Sequence, residues 1–408
     1  MAAVTSRPVP GADPAASRRW VTRGQPGAIA AVAAMITGPS PHAVLLAGPS
    51  AVGKTTLAMD LAAGLLCTAA DPAARPCRAC RSCRLVAAGN HPDVHRLAPE
   101  GPGEQVVIGD AREARAARGV RDLLRELALL PVEGGARVAV IEGAVRMNED
   151  AQNALLKTLE EPPPGVTIVL CVDREEVLLP TVRSRCARVR LGPVGPREIE
   201  GLLGDLGLAD ASTAARLARL ADGRPGIAVA YARVPEAVTI RDELTRTLLD
   251  LLPAGRASRL AAARDLLGRA RDLADALAEP VSAVVRPGGA GRPVAEEDDD
   301  ESTGPARLAP AERRRAARQL LAVWRELARD LAVARLATDD DLAGRRAVHD
   351  TELLEELTTA AARLPDGSLA SFLERLDRIA EQIAGNANPE LAIDVALLAW
   401  PRVGSAAA

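Results

Sequence analysis

Ala43-Val44-Leu45-Leu46-Ala47-Gly48-Pro49-Ser50-Ala51-Val52-Gly53-Lys54-Thr55-Thr56 is the stretch on which the fold turns. Its first five residues form an unbroken apolar run, as a strand buried on both faces requires. Gly-x4-Gly-Lys-Thr follows at 48–55, and Leu57, Leu61 and Leu65 then recur at helical spacing. Strand, glycine loop and helix in that order describe a phosphate-binding loop. Gly48 and Gly53 let backbone N–H groups close on phosphate oxygens, Lys54 brings a point charge to the outer phosphates, and the Thr55 hydroxyl suits magnesium. Pro49, Ser50 and Thr56 complete the expected cradle. An ordinary glycine turn before a helix is the plainer alternative. Lysine usage weighs against it: the chain holds two lysines, Lys54 and Lys157, against forty-nine arginines, so a compact ammonium is kept where a planar guanidinium does not substitute.

A cysteine set lies downstream, Cys67-x9-Cys77-x2-Cys80-x2-Cys83. The x2 spacings let a tight turn aim successive sulfurs at one tetrahedral ion, and zinc is the expected occupant. Four thiolates around Zn²⁺ leave a net negative charge, which the interleaved Arg75, Arg78, Arg81 and Arg84 are expected to offset. An iron–sulfur cluster and free thiols are the alternatives; the upstream fourth cysteine and the missing Cys-x3-Cys-Pro continuation speak against a cluster. His91 and His95 are weaker ligand candidates. The chain opens on polar, proline-rich residues and contains no apolar run near the roughly eighteen residues that span a membrane, so the expectation is a cytoplasmic chain with reduced cysteines and no membrane partner.

At 408 residues with 48% hydrophobic content the chain has material for two to four domains, and a net charge of −3 excludes a strongly basic nucleic-acid sleeve. Five aromatics (Trp20, Tyr231, Trp324, Phe372, Trp400) make base-stacking platforms improbable and leave Leu, Val and Ala to build the cores. Residues 1–22 lack periodicity and read as a flexible arm. A helix is expected around Gly119–Leu130, then the strand Val138–Ile141, which ends in Glu142. A carboxylate delivered at the end of a buried strand suits magnesium held opposite the lysine loop, and Glu142 is the candidate. Asn148 caps an expected helix to Glu161, closed by Pro162-Pro163-Pro164, and the strand Val166–Val172 follows. Pro193 and Pro196 mark a boundary.

Asn148-Glu149-Asp150-Ala151-Gln152-Asn153-Ala154-Leu155-Leu156-Lys157-Thr158-Leu159-Glu160-Glu161-Pro162-Pro163, the triplet Ser184-Arg185-Cys186, the phosphate loop and the four cysteines together resemble the bacterial clamp-loader branch of the AAA+ ATPases. The resemblance covers roughly residues 24–230. It implies an α/β P-loop (AAA+) core over 23–192 with the zinc-binding insertion at 67–83, a small helical lid over 193–235 and an all-α collar over 236–402. A disordered insertion at 286–305 carries the acidic run Glu296–Glu301, and 403–408 form a tail. It further implies a hetero-pentameric ring of clamp-loader subunits that uses ATP with Mg²⁺ to place a sliding clamp on primer–template DNA. In such a ring Arg185 is a finger reaching a neighbour's ATP site, where a guanidinium stabilises developing phosphoryl charge.

Two departures from the motor pattern bear on the subunit type. Hydrolysing members follow the magnesium acid with a glutamate that activates water, whereas here Gly143 follows Glu142. They also carry a lid arginine where this chain has Gly226, with Arg224 close by. Loss of a positioned base costs about 10²–10⁴ in rate, so weak or absent hydrolysis is expected. An ATP-hydrolysing motor subunit of the same ring is the alternative, and a zinc-bearing phosphotransferase without a recognisable acceptor site is a third reading.

Overall fold

Single-residue alternation divides the central strands between two cores. In β1 (Ala43–Ala47) Ala43, Leu45 and Ala47 enter one cluster, Val44 and Leu46 the other. In β4 (Val166–Val172) Ile168, Leu170 and Val172 join the first, Val169 and Cys171 the second. Successive strand side chains point to opposite faces, and helices cover both, so no polar alternation survives in the sequence.

The computed structural model describes residues 19–99, 106, 118–133, 135–285, 310–336, 348–385 and 387–403. The expected insertion 286–305 with its acidic run lies outside these, as do residues 1–18 and 404–408. Two compact units result, Met1–Glu198 with Val285–Ala290 and Ile199–Val284 with Gly291–Ala408. No described helix is long and apolar enough to cross a membrane.

The first unit is built on a parallel sheet of order β2-β3-β4-β1-β5, with β2 at Val94–Leu97, β3 at Arg137–Ile141 and β5 at Ala187–Arg190. Helices α1 (Pro26–Thr37), α2 (Lys54–Leu65) and α3 (Arg81–Ala87) cover one face through Val32, Leu57, Leu61 and Val86. The other is covered by α4 (Val120–Leu127), α5 (Glu149–Glu160) and α6 (Pro180–Arg183), through Leu123, Leu155, Leu159 and Val182. Asn148 caps α5 as its sequence position predicts, its side chain accepting from the Ala151 N–H at 2.9 Å. Pairing of Ala47 with Val172 and of Ile141 with Leu170 brings Gly48, Glu142 and Asp173 out at the same edge of the sheet. Ligands of open α/β sheets bind at that carboxyl edge.

Residues 19–22, grouped with the arm on sequence, are part of this unit. Thr22 is buried, and its N–H and hydroxyl donate to Asp60 of α2 at 2.9 and 2.8 Å. Burial pushes the Asp60 carboxyl upward, against the pull of Arg78 and Thr22.

The second unit is helical: α7 (Pro196–Asp205) leads into α8 (Ala211–Leu220), α9 (Pro225–Arg233), α10 (Pro235–Asp250), α11 (Arg256–Val285), α12 (Pro310–Leu336), α13 (Leu354–Ala362), α14 (Ser368–Ala384) and α15 (Pro389–Ala399). The expected lid helices α8 and α9 thus group with the collar. Trp324, Phe372 and Trp400 form one cluster, ring centroids 4.7–5.5 Å apart, so three of the five aromatics are spent on this core. Buried Arg259 donates to the carbonyls of Leu251, Leu252, Leu397, Trp400 and Pro401, which gather at the ends of α10 and α15. A cation there satisfies carbonyls that helix termini leave open.

Charged side chains tie the turn between α8 and α9 to α12 inside this unit. Arg224 and Arg241 share Glu326 of α12, at 2.6 and 3.1 Å. Buried His349 lies between Asp330, 2.7 Å from Nδ1, and Asp222, 3.1 Å from Nε2, with the Arg329 guanidinium against its ring. Burial opposes the imidazolium, but the two carboxylates outweigh it and push the pKa up to about 9. A raised histidine pKa stabilises the folded state fully below the unfolded value of roughly 6.5 and loses that contribution as pH climbs through the folded one. We expect urea unfolding to show about 2–3 kcal/mol less stability for this unit at pH 9.5 than at pH 6, and His349→Gln to flatten the difference.

Candidate functional site

The loop between β1 and α2 has the backbone that its glycines predict. A Cβ on Gly48 would stand 2.2 Å from the Leu191 carbonyl oxygen, and Gly53, at φ 104°, holds a left-handed conformation just before α2. The first α2 bond runs from the Leu57 N–H to the Gly53 carbonyl at 2.9 Å. Amides ahead of Leu57 therefore have no intrahelical acceptor and suit an anion at the positive helix end. Pro49 and Ser50 are exposed, Thr55 and Thr56 half-buried. Lys54 is buried, and its Nζ donates to Gly48 O and Pro49 O, both at 2.7 Å, and to Asp173 Oδ1 at 2.6 Å. Behind the loop, burial pushes the Cys171 thiol of β4 up to about 12; Thr55 hydrogen-bonds it.

Glu142 emerges from β3 as expected, yet its carboxylate already has a cation. Arg96 of β2 donates to Glu142 Oε1 from Nε at 3.0 Å and Nη2 at 2.6 Å. A magnesium ion there would compete with that guanidinium. Gly143 adds a backbone reason to its missing side chain: it sits at φ 56°, and a Cβ would lie 2.9 Å from Pro99 Cγ. Gly143→Glu is expected to lower the unfolding free energy by about 1–2 kcal/mol, read by urea denaturation, without raising ATP turnover.

Arg185 follows α6 at the surface, its side chain one-third exposed. Nη2 donates to Glu160 Oε1 at 2.6 Å and Nη1 to Thr181 O at 2.8 Å. In the second unit, Arg224 Nε donates to Ala221 O at 2.9 Å and Nη2 to Glu326. Gly226 lies in the first turn of α9.

The sulfurs of Cys67, Cys77, Cys80 and Cys83 lie within 4.8 Å of one another, the one such ligand group among the described residues that reaches metal-binding size. Cys67 and Cys80 sulfurs are 3.9 Å apart, close to the roughly 3.8 Å edge of a tetrahedron with metal–sulfur distances near 2.3 Å. The N–H groups of Cys77, Cys80 and Cys83 point at the sulfurs of Cys67, Cys77 and Cys80 at 3.3–3.4 Å, stabilising thiolates. Burial opposes ionisation of Cys80, but N–H donors from Cys83 and Thr68 draw it down to about 6; burial pushes Cys83 up. The donor set fits a thiophilic divalent ion. The interleaved arginines serve other partners: Arg78 pairs with Asp60, Arg81 with Glu133, while Arg75 and Arg84 donate to backbone carbonyls. His91 and His95 stand outside the cluster, His95 beside Glu126 at 2.8 Å and His91 accepting from the Asp93 N–H at 3.1 Å.

Sequence reasoning missed Asp173, Arg96 and Asp60. Asp173 is the first polar residue beyond a buried strand, the same signal that singled out Glu142, and it went unread.

Residues 25–195 match the protein-family model described as DNA polymerase III, delta subunit, a span that holds the phosphate loop, the cysteines, Glu142 and Arg185. It is this segment of the chain that is similar to that family. The chain is 40% identical over 147 residues to DNA polymerase III subunit delta' of Pseudomonas aeruginosa, covering 36% of this chain and 42% of that protein. It is 36% identical over 215 residues to the Escherichia coli subunit delta', covering 52% and 60%. DNA polymerase III subunit gamma/tau of Mycobacterium bovis is 35% identical over 163 residues, 40% of this chain and 26% of that protein. The matches thus span about two-fifths to three-fifths of these delta' relatives.

Proposed function

We propose that this chain is the delta prime subunit of the bacterial clamp loader of DNA polymerase III, acting in the cytoplasm as a poorly hydrolysing member of the ring. Its partners are then delta and gamma/tau subunits, and through the assembly the sliding clamp and primer–template DNA. Cys67, Cys77, Cys80 and Cys83 hold a structural Zn²⁺. ATP with Mg²⁺ takes the loop of Gly48, Pro49, Ser50, Gly53, Lys54, Thr55 and Thr56, with Glu142 toward the metal, and the polymerase chemistry belongs to another chain.

The single observation that carries this reading is the pairing of an outward-facing Arg185 with a glycine at 143 whose left-handed backbone disfavours a side chain. The chain has a cation to lend a neighbour and no base of its own. Glu142 is paired with Arg96, a guanidinium that a magnesium ion on that carboxylate would have to displace, a further reason for slow chemistry. The gamma/tau relative and the intact loop favour a second reading, a motor subunit. Steady-state turnover by the purified chain, beside equilibrium binding of a fluorescent ATP analogue and a Lys54→Ala control, separates the two. Binding without turnover is expected; Lys54-dependent turnover at motor rates would overturn the delta prime assignment.

A further inference from the structure

An ammonium has three N–H donors, and those of Lys54 are all engaged, by Gly48 O, Pro49 O and Asp173 Oδ1. Phosphate therefore reaches this lysine only by displacing a partner. The two carbonyls belong to the loop itself, one at Gly48, whose Cα is pressed against the Leu191 carbonyl, so they move with difficulty. Asp173 is the movable partner: its side chain is 53% exposed and swings into water at little cost. Among the described residues it is also the anionic partner of Lys54, set where an outer phosphate oxygen would bond.

We infer that Asp173 is a specificity-determining residue that stands in for the terminal phosphate on Lys54, making the loop a seat for nucleoside diphosphates in preference to triphosphates. The inference rests on the reading of residues 48–56 as a nucleotide seat and adds which nucleotide it takes. Loop lysines reach the β- and γ-phosphates, while the amides at the helix start hold the inner ones. The α- and β-phosphates of a diphosphate can rest on the backbone amides of the loop and helix start alone, so the Asp173 carboxylate remains on Lys54 and completes its coordination. A triphosphate brings a second anion to the same donor and must drive Asp173 off against like-charge repulsion. With Gly143 unable to supply a base, such a site holds a nucleotide instead of turning it over.

Isothermal titration of the full chain with ADP and with ATP, in magnesium buffer, tests this in wild type, Asp173→Asn, Asp173→Ala and Lys54→Ala. Circular dichroism checks each fold; both Asp173 variants alter an exposed loop position and should retain it. Wild type is expected to bind ADP about tenfold more tightly than ATP, and both Asp173 variants to tighten ATP by about tenfold while ADP changes little, as removal of one nearby like charge requires. An ATP-to-ADP affinity ratio that stays the same in wild type and both Asp173 variants, with Lys54→Ala abolishing binding, would overturn the role of Asp173 and leave the nucleotide seat standing. Failure of wild type and both Asp173 variants to bind either nucleotide would overturn the seat and the selector together.

Discussion

Cys83→Ser is expected to remove the metal and unfold the surroundings of α2 in one step. Cys83 is fully buried, its sulfur 3.7 Å from the Ala63 carbonyl of α2, in the same apolar cluster as Leu57, Leu61 and Val86. Serine there binds zinc poorly and leaves three sulfurs facing one another around a vacated centre. Metal loss in small zinc domains removes about 10 kcal/mol or more, and loss of a metal ligand is among the few single changes that exceed about 4 kcal/mol. The module here is braced by Arg78 on Asp60 and by packing on α2, so we expect about 3–5 kcal/mol to be lost from the first unit. Metal content of the purified chain should drop from one zinc to well below it, with a lower unfolding midpoint. Chelation of the wild type should reproduce that midpoint, and Cys186→Ser, whose thiol lies outside the cluster, should keep both metal and midpoint. A chain that is stripped of metal yet melts unchanged would show that packing alone holds the four cysteines.

The same contacts carry the effect to the phosphate loop. Lys54 begins the helix that Asp60 and Ala63 anchor to the cysteine module. Nucleotide affinity should therefore fall in Cys83→Ser even though no cysteine of the module touches Lys54.

What the sequence disclosed follows from how each element is stabilised. The central strands β1, β3 and β4 announced themselves because burial on both faces demands continuous apolar runs. Helix α5 did so through its cap and closing prolines. The edge strands did not: β2 reads Val-His-Arg-Leu, neither a run nor an alternation, and β5 reads Ala-Arg-Val-Arg, an alternation only four residues long in an arginine-rich stretch. Helix α1, in a stretch of Ala and Gly with little contrast between faces, was equally silent. At the site, glycines and cysteines were legible because their chemistry fixes spacing along the chain. Lys54–Asp173 and Arg96–Glu142 were not, since each joins residues far apart in sequence that the sheet order brings together, and Arg78–Asp60 was not, since it forms only when the cysteine segment folds back on α2.

Arg185→Ala is expected to leave the chain folded and the ring assembled while cutting hydrolysis at the adjoining site by about 10³-fold or more, the contribution of an arginine finger. The local chemistry of the triplet explains both halves of that expectation. Ser184 closes the end of α6, its hydroxyl donating to the Thr181 carbonyl at 3.1 Å. Cys186 turns inward, and burial pushes its thiol up to about 11. Arg185 between them is left to project, steadied by Glu160 and the Thr181 carbonyl. An exposed pair of that kind contributes at most about 1 kcal/mol, so its loss scarcely alters the unfolding midpoint. With the proposed finger serving one site of several, total DNA-stimulated ATPase of a reconstituted ring should fall by that site's share, and single-turnover measurement should isolate the defect. Arg185→Lys keeps the charge but not the planar fork, and is expected to recover only part of the rate. Full turnover in Arg185→Ala would move the finger elsewhere and leave Arg185 as a surface arginine bound to Glu160.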